Sequence, residues 1–233
     1  MRRKSKLRTG LLLCIVLGMV LSLSAAAAAP EKVTGGAGWR TYDGKQYFYD
    51  KSGILQKNRI VTFDGKHQYV DRTGALVKDA NIKRAVAFAV KYGKGKKTNR
   101  QKLEACYKKI SKIKYARYYK NRSLSPKKKN IPKLASRMFT QKKGYCYQYA
   151  AVMAYVATVL GYEARFVTGA VRYRSHVHGW CEVKVGKEWR KLDCCRQKHY
   201  KKKSLFLKKK MPFKLIRFHH YKLNIVKQKV VWK

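Results

Sequence analysis

The chain has 233 residues, with 57 lysines and arginines against 11 aspartates and glutamates, so its formal net charge is +46 at pH 7. Its hydrophobic content of 45% is that of a globular protein, which excludes a disordered basic tail. A charge of this size predicts attraction to polyanions, and the candidates are nucleic acid, an anionic membrane and the anionic polymers of a bacterial envelope.

Residues 1–29 have the layout of a secretory signal peptide. The basic segment MRRKSKLRTG precedes the apolar segment LLLCIVLGMVLSLS, and a run of alanines follows. An uncleaved N-terminal anchor is the alternative, because the apolar run continues through Ala29. Cys14 lacks the small preceding residue that a lipoprotein site would have, so lipidation is not expected. Export makes an envelope polymer the expected partner rather than nucleic acid, and predicts a secreted, cell-surface protein.

A repeat occupies residues 35–80. The segment WRTYDGKQYFYDKSGILQKN (39–58) aligns with IVTFDGKHQYVDRTGALVKD (60–79) at an offset of 21 residues. An Asp-Gly pair in each copy predicts a hairpin turn beside short aromatic strands. Each copy therefore predicts one β-hairpin, too small to be stable alone and stacked on its neighbour.

This repeat resembles the cell-wall-binding (choline-binding type) repeats of Gram-positive surface proteins, in which aromatic side chains of successive hairpins line ligand sites. The resemblance implies a cell-wall carbohydrate or polymer as ligand. The second copy has Ile60 in place of Trp39 and Gln68 in place of Tyr47, so it lacks two aromatic side chains that a cage for a quaternary amine would use. A partial binding module and a spacer remain alternative interpretations.

The remainder, residues 81–233, predicts one α+β domain, since helical patterns come first and strand-like runs follow. A basic loop over residues 118–133 is expected to lead into an uncharged segment. The predicted helices cover 81–93, 99–115 and 146–160, and the strand-like runs cover 163–171, 178–185, 188–195 and 214–232.

The uncharged segment has Cys146 at its front edge. No charged side chain occurs between Lys143 and Glu163, and residues 146–160 are apolar or small on nearly every face. Such a helix should be buried. A thiol at its start experiences the helix dipole and unpaired N–H groups, which favour the nucleophilic thiolate. A plain core cysteine is the alternative.

The strands after this helix can bring a histidine to a carboxylate. Gly186 begins a two-residue turn, as a type II′ hairpin requires. The resulting register puts Trp180 opposite Asp193, and His178 one diagonal step from Asp193, at a Cβ separation of roughly 7–8 Å. Trp180 would then shelter both side chains.

Cys146, His178 and Asp193 together supply a nucleophile, a base and an orienting carboxylate. They occur in that order, with gaps of 32 and 15 residues. Papain-like proteases separate their cysteine and histidine by about 130 residues, so this spacing argues against that branch.

The segments GYCYQYAAVMAYVATVLGYEARFVTGAV, HGWCEV and EWRKLD resemble the transglutaminase-like core, and the resemblance covers about residues 99–195. It implies a papain-like α+β fold, a protein or peptide substrate and no cofactor, with Cys146 as nucleophile, His178 as base and Asp193 as orienting group. Acidic residues after residue 80 are too scattered for a calcium cage. The residues that carry the resemblance are Gly144, Cys146, Gly161, Gly169, His178, Trp180, Trp189 and Asp193.

The other cysteines allow further interpretations. Five cysteines follow the leader, so an exported protein would keep at least one free thiol. Cys181 and Cys194 share the face away from His178, where a cross-strand disulfide or two packed thiols would fit. Cys195 returns to the His178 face and is a weaker candidate nucleophile. A zinc site is a weaker alternative, since the spacing of its candidate ligands matches no familiar finger or ribbon: His176, His178, Cys181, Cys194 and Cys195.

Two functions remain open at this point. The first is a secreted, wall-associated enzyme that transfers or hydrolyses acyl groups through Cys146, with the backbone N–H of Cys146 in the oxyanion hole and Gln141 as a weaker candidate there. The second is a non-catalytic envelope-binding protein on the same scaffold. Nothing in the sequence fixes the oligomeric state.

Overall fold

The N-terminal repeat forms two β-hairpins in the computed structural model, which describes residues 28–117, 124–171 and 176–233. Strand β1 (Gly38–Tyr42) pairs with β2 (Lys45–Tyr49), and β3 (Arg59–Phe63) pairs with β4 (Lys66–Val70). Both residues of each Asp-Gly turn have positive φ angles, between 48° and 68°, as type I′ turns require. The predicted hairpins are confirmed, whereas nearly all of the predicted signal peptide lies outside the described residues.

Four α-helices and two short strands follow in the described part of the chain. Asp79 caps the first helix by accepting from two backbone N–H groups, and Thr98 caps the second in a capping box. The elements are α1 (Ala80–Gly93), α2 (Asn99–Ser111), β5 (Lys114–Tyr115), α3 (Ile131–Gln141), β6 (Lys143–Gly144) and α4 (Cys146–Val159).

Helix α3 was not predicted, because the loop was expected to run into the uncharged segment. Pro132 lies in the first turn, where its missing N–H is tolerated. The buried side chains recur at helical spacing behind it, so the apolar periodicity was present in the sequence beside the lysine run. They are Ile131, Leu134, Ala135, Met138 and Phe139.

Among the described residues, five antiparallel strands form the main sheet, in the order β11-β10-β7-β8-β9. Gly186 has a φ of +59°, and Val185 pairs with Glu188, so the predicted hairpin and its register are confirmed. The C-terminal run forms two strands rather than one. The strands are β7 (Ala164–Val171), β8 (His176–Val185), β9 (Glu188–Leu192), β10 (Leu215–Val226) and β11 (Lys229–Trp232).

Helix α4 is the centre of the core, and every residue from Cys146 to Val159 is buried. It packs against α1, α2, α3 and the sheet, as its uncharged surface predicts. The α+β class is therefore confirmed. In the described part of the chain, no helix is both long and apolar enough to cross a membrane.

The second hairpin is continuous with this core, since Tyr69 and Val77 are buried in it. Asn58 joins the hairpin to the end of α4: its amide donates to the Gly161 carbonyl at 3.0 Å, and its side-chain oxygen accepts from the Tyr69 hydroxyl at 2.7 Å. Gln228 donates to the Leu76 carbonyl at 3.1 Å. The second repeat is therefore built into the domain.

Candidate active site

Cys146 is the first residue of α4, and the two residues before it pack closely against the first turn of this helix. The Gln148 side chain accepts from the Tyr145 N–H at 3.2 Å, which satisfies one donor at this terminus. A Cβ on Gly144 would lie 3.0 Å from the sulfur of Met138 and 3.2 Å from the Cβ of Gln148. A side chain at position 144 would therefore push against the residue that caps the helix.

His178 and Asp193 form a buried hydrogen-bonded pair. His178 Nε2 lies 2.7 Å from Asp193 Oδ2, and both side chains are almost fully buried. The second carboxylate oxygen, Oδ1, accepts from the Arg196 N–H at 3.0 Å. Asp193 is thus held at both oxygens, and Nδ1 is the ring nitrogen of His178 that remains for a hydrogen bond with the Cys146 thiol.

The pKa of His178 reflects these contacts. Burial alone lowers it, because the charged ring is removed from water. The charge and hydrogen bond of Asp193, together with the hydrogen bond to Cys146, act in the opposite direction and raise the pKa to about 10. At neutral pH the imidazole therefore holds its proton between a carboxylate and a sulfur.

Trp180 covers the imidazole and is itself anchored. Its ring stacks on that of His178, with centroids 6.2 Å apart and an interplanar angle of 22°. The indole N–H donates to Glu182 at 2.9 Å. Glu182 is fully buried and also accepts from Arg165 at 2.8 Å and from Arg217 at 3.0 Å. The predicted shelter is present, and a buried ion cluster fixes it.

Helix α2 and the loop after β9 hold the backbone around Asp193. The Tyr107 hydroxyl donates to Gln197 Oε1 at 2.6 Å and lies 3.3 Å from the Asp193 carbonyl. Gln197 Oε1 also accepts from the Leu205 N–H at 2.7 Å. Tyr107 and Gln197 were not predicted from the sequence, because residues 90 positions apart come into contact only in the folded structure.

An open cleft of about 230 Å³ lies over the sulfur and the ring. Cys195 is a second thiol in its wall, but burial, with Cys146 and Asp193 nearby, raises its pKa far above the ordinary value. Cys195 therefore remains a protonated thiol. The cleft is lined by Tyr115, Cys146, Val171, Val177, His178, Cys195, Arg196, Lys198 and His199.

The remaining predicted residues lie elsewhere. Cys181 and Cys194 are buried free thiols, so the packed-thiol interpretation applies and not the disulfide. Gln141 is exposed at the end of α3 and is not in the wall of the cleft. The first N–H groups of α4, that of Cys146 included, have no acceptor within the helix and point to its N-terminal end. Across the described ranges, no group of three or more His, Cys, Asp or Glu side chains could hold a metal ion.

Comparison with known proteins finds a match in the central part of the chain. Residues 86–194 match the model of the transglutaminase-like superfamily, and this range overlaps the resemblance predicted for about 99–195. No curated protein matches the chain significantly.

Solved structures with partial similarity include three proteins, and the chain covers 31% to 55% of their lengths. A putative cysteine protease from Cytophaga hutchinsonii is 22% identical over 47% of this chain, with a TM-score of 0.37. A protein described as a TGase is 17% identical over 50% of the chain, with a TM-score of 0.40. The arylamine N-acetyltransferase from Mycobacterium abscessus is 14% identical over 63% of the chain, with a TM-score of 0.31.

Proposed function

We propose that this transglutaminase-like domain is a thiol acyltransferase or hydrolase acting at amide or peptide carbonyls, and that the protein is secreted and associated with the cell wall. The arrangement of Cys146 and the buried 2.7 Å pair of His178 and Asp193 supports the chemistry most directly. Cys146 is the nucleophile, His178 the acid and base, and Asp193 the orienting carboxylate.

The first half-reaction acylates the enzyme. His178 holds the thiol proton, and the sulfur attacks the carbonyl carbon of a carboxamide or peptide bond. The oxyanion that forms accepts from the Cys146 N–H at the start of α4, where the helix dipole favours negative charge. The His178 imidazolium gives its proton to the leaving nitrogen, the C–N bond breaks, and a thioester remains on Cys146.

The second half-reaction releases the acyl group. A primary amine or a water molecule attacks the thioester, and His178 takes the proton of the attacking group. The C–S bond breaks and the sulfur is released as the thiolate beside the imidazolium. An amine gives a new amide, and so a cross-link or a transferred group, whereas water gives hydrolysis or deamidation.

Incorporation of a tagged primary amine into wall fragments and candidate proteins tests this activity. We expect incorporation by the wild-type protein and a loss of at least a thousandfold in Cys146→Ala, because removing a triad residue costs a factor of this order or more. Cys195→Ser is the matched control, since it alters a thiol of the same cleft and should retain activity. Equal incorporation by Cys146→Ala and the wild type would contradict the proposal.

A non-catalytic envelope-binding protein is the second candidate, and the basic surface with its two aromatic hairpins favours it. Iodoacetamide labelling at neutral pH distinguishes the two functions. The enzyme should be alkylated at Cys146, and the rate should fall about tenfold or more in His178→Ala, since the imidazole would no longer stabilise the thiolate. An equal rate of alkylation in the wild type and in His178→Ala would favour the binding protein.

Wall association is tested by co-sedimentation of the full-length protein with purified wall in high salt, which screens attraction by exposed lysines. The hairpins should retain the protein under these conditions. Replacement of Trp39, which packs edge-on against Phe48 at 5.2 Å, should release it. Equal release of both proteins by salt would assign wall binding to charge alone and leave the hairpins as a spacer.

A further inference from the structure

A second cavity, which we call the lysine groove, adjoins the cleft. Its volume is about 700 Å³, within the range that holds a drug-sized ligand. It runs between α2 with β5 on one side and the loop after β9 on the other. Its lining includes six lysines and no acidic residue: Tyr107, Lys108, Ser111, Lys112, Ile113, Lys114, Tyr115, Gln197, Lys198, Lys201, Lys202 and Ser204.

The lysine groove and the cleft meet at Tyr115 and Lys198, which line both. The Lys198 ammonium lies 4.8 Å from the centroid of the Tyr115 ring. Tyr115 pairs with Gly144 through β5 and β6, two residues before the sulfur of Cys146. A chain that lies in the groove and passes this junction therefore arrives at the thiol.

Five of the six lysines of the groove have no carboxylate partner among the described residues. Lys108 forms an ion pair with Glu104 at 2.8 Å. In the described part of the chain, none of the other five lysines lies within ion-pair distance of a carboxylate. Their positive potential is therefore available to a ligand, and concave walls concentrate such a potential.

The loop that carries three of these lysines is held in place from within. The Gln197 amide donates to the carbonyls of Tyr200 and Lys203, both at 3.1 Å, while its oxygen accepts from Tyr107 and Leu205. The same glutamine contacts the helix that supports Asp193. The basic wall of the groove and the backbone carbonyl of Asp193 therefore share one set of hydrogen bonds, through the Tyr107 hydroxyl.

We infer that the lysine groove binds an acidic polypeptide segment, and that the acyl donor carries aspartates or glutamates within a few residues of the reacting carbonyl. This inference depends on the proposed function. A polypeptide fits because the lining of the groove combines apolar surface from Tyr107, Ile113 and Tyr115 with the lysines. Side chains with both apolar stems and carboxylates match that combination, and a peptide continues naturally into an amide at Cys146.

The test compares two synthetic peptides of equal length that share one central glutamine. One has glutamates and aspartates on both sides, and the other has serines and asparagines. The transfer of each peptide to a tagged amine is measured with the wild type, with Lys201→Glu/Lys202→Glu, and with Lys127→Glu/Lys128→Glu. The last variant is the matched control, since it makes the same charge change at exposed lysines outside the groove.

We expect the wild type to prefer the acidic peptide by about tenfold in kcat/KM at low salt, and the preference to decline as salt is added. In Lys201→Glu/Lys202→Glu the ratio of acidic to neutral peptide should fall to about one, while the control variant should keep the wild-type ratio. Equal use of both peptides by the wild type would overturn the inference. An equal loss in the control variant would do the same.

A binding measurement separates failure of the inference from failure of the proposed function. Fluorescence anisotropy of the labelled peptides with full-length Cys146→Ala reports on the groove without turnover. One outcome is that the acidic peptide binds only when Lys201 and Lys202 are present, while the wild type turns over neither peptide. That result would support the groove as a binding site for acidic peptides and contradict the proposed acyl-transfer activity. Lysine-dependent binding of sodium polyphosphate without binding of the acidic peptide would overturn the inference in favour of a phosphate polymer.

Discussion

His178 is a buried histidine that keeps its proton because two groups outweigh the cost of burial. Asp193 supplies a charge and a hydrogen bond, and Cys146 supplies another hydrogen bond. The pKa of about 10 exceeds the ordinary value of 6.5, so the protonated ring stabilises the fold below pH 6.5. That stabilisation is lost as the pH rises through about 10.

Asp193→Asn should lower the pKa of His178, because the negative charge that counteracts the effect of burial would be removed. An NMR titration of the imidazole protons measures this change. We expect titration near pH 10 in the wild type and at a clearly lower pH in the variant. Glu188→Gln is the control, since it removes an exposed carboxylate from the neighbouring strand and should leave the His178 titration unchanged. A titration that Asp193→Asn does not move would contradict the assigned pairing.

The contact between His178 and Asp193 could be predicted because local rules fix it. Gly186 sets the turn, and the turn sets the register that brings His178 to Asp193. Tyr107 and Gln197 could not be predicted, because they are separated by 90 residues and meet only once α2 has docked. A single sequence gives no signal for such a contact.

At the scale of elements, β8 places three polar side chains in succession on one face. His178 faces the cleft, and the Trp180 ring lies over the imidazole. Glu182 accepts a hydrogen bond from Trp180 and also binds arginines of β7 and β10. Burial raises the pKa of Glu182, but the Trp180 N–H, Arg165 and Arg217 outweigh it and the pKa is lowered. The carboxylate is therefore charged and joins three strands.

Glu182→Gln should destabilise the protein by roughly 3–5 kcal/mol, because Arg165 would be left buried without its counter-charge. Urea unfolding measures the loss. The amide can still accept from Trp180, so alkylation of Cys146 in the folded fraction should persist. Glu188→Gln again serves as the control, with little change in the unfolding midpoint. A stability equal to the wild type would show that the buried cluster contributes no net stability.

The junction between the second hairpin and α4 depends on Asn58. Its side chain bonds both to the Gly161 carbonyl and to the Tyr69 hydroxyl, so Asn58→Ala should cost about 1–3 kcal/mol of stability. Thermal unfolding should remain a single transition with a lower midpoint, since Tyr69 belongs to the common core. Two separate transitions would instead mean that the hairpin unfolds as an independent unit.

Element types were predictable where composition or turn residues give a strong local signal. The uncharged run of α4 and the Asp-Gly pairs of the hairpins are such signals, and both predictions are confirmed. Helix α3 was missed because Pro132 and the preceding lysines are typical of a loop, although proline at the first turn is compatible with a helix. The joining of the second hairpin to the domain depends on side chains such as Asn58, which no periodicity indicates.

At the scale of the whole molecule, scarce acidic residues connect distant segments of a very basic chain. Glu163 contacts Arg72 of the repeat at 3.6 Å, Lys184 of β8 at 3.8 Å and Lys222 of β10 at 2.5 Å. Its hydrogen bond with Lys222 is the main reason that its pKa is lowered. One carboxylate thus reduces repulsion between three parts of the protein.

The C-terminal strand completes the core, because Trp232 packs against Tyr155 of α4 at 5.6 Å and against Phe166 of β7 at 6.4 Å. Trp232→Ala should therefore cost roughly 3–5 kcal/mol. Trp232→Phe keeps an aromatic ring in place and should cost clearly less. Denaturant unfolding of both variants checks this order, and equal stability of Trp232→Ala and the wild type would contradict it.

The position of β10 also determines when the surroundings of His178 are completed as the chain folds. Arg217 of β10 completes the cluster that anchors Trp180, and β10 pairs with β7 in the interior of the sheet. Arg217 lies 35 residues after Glu182 in the sequence. Trp180 therefore gains its full anchor only when β10 has paired with β7, so the packing around the imidazole depends on a long-range step of folding.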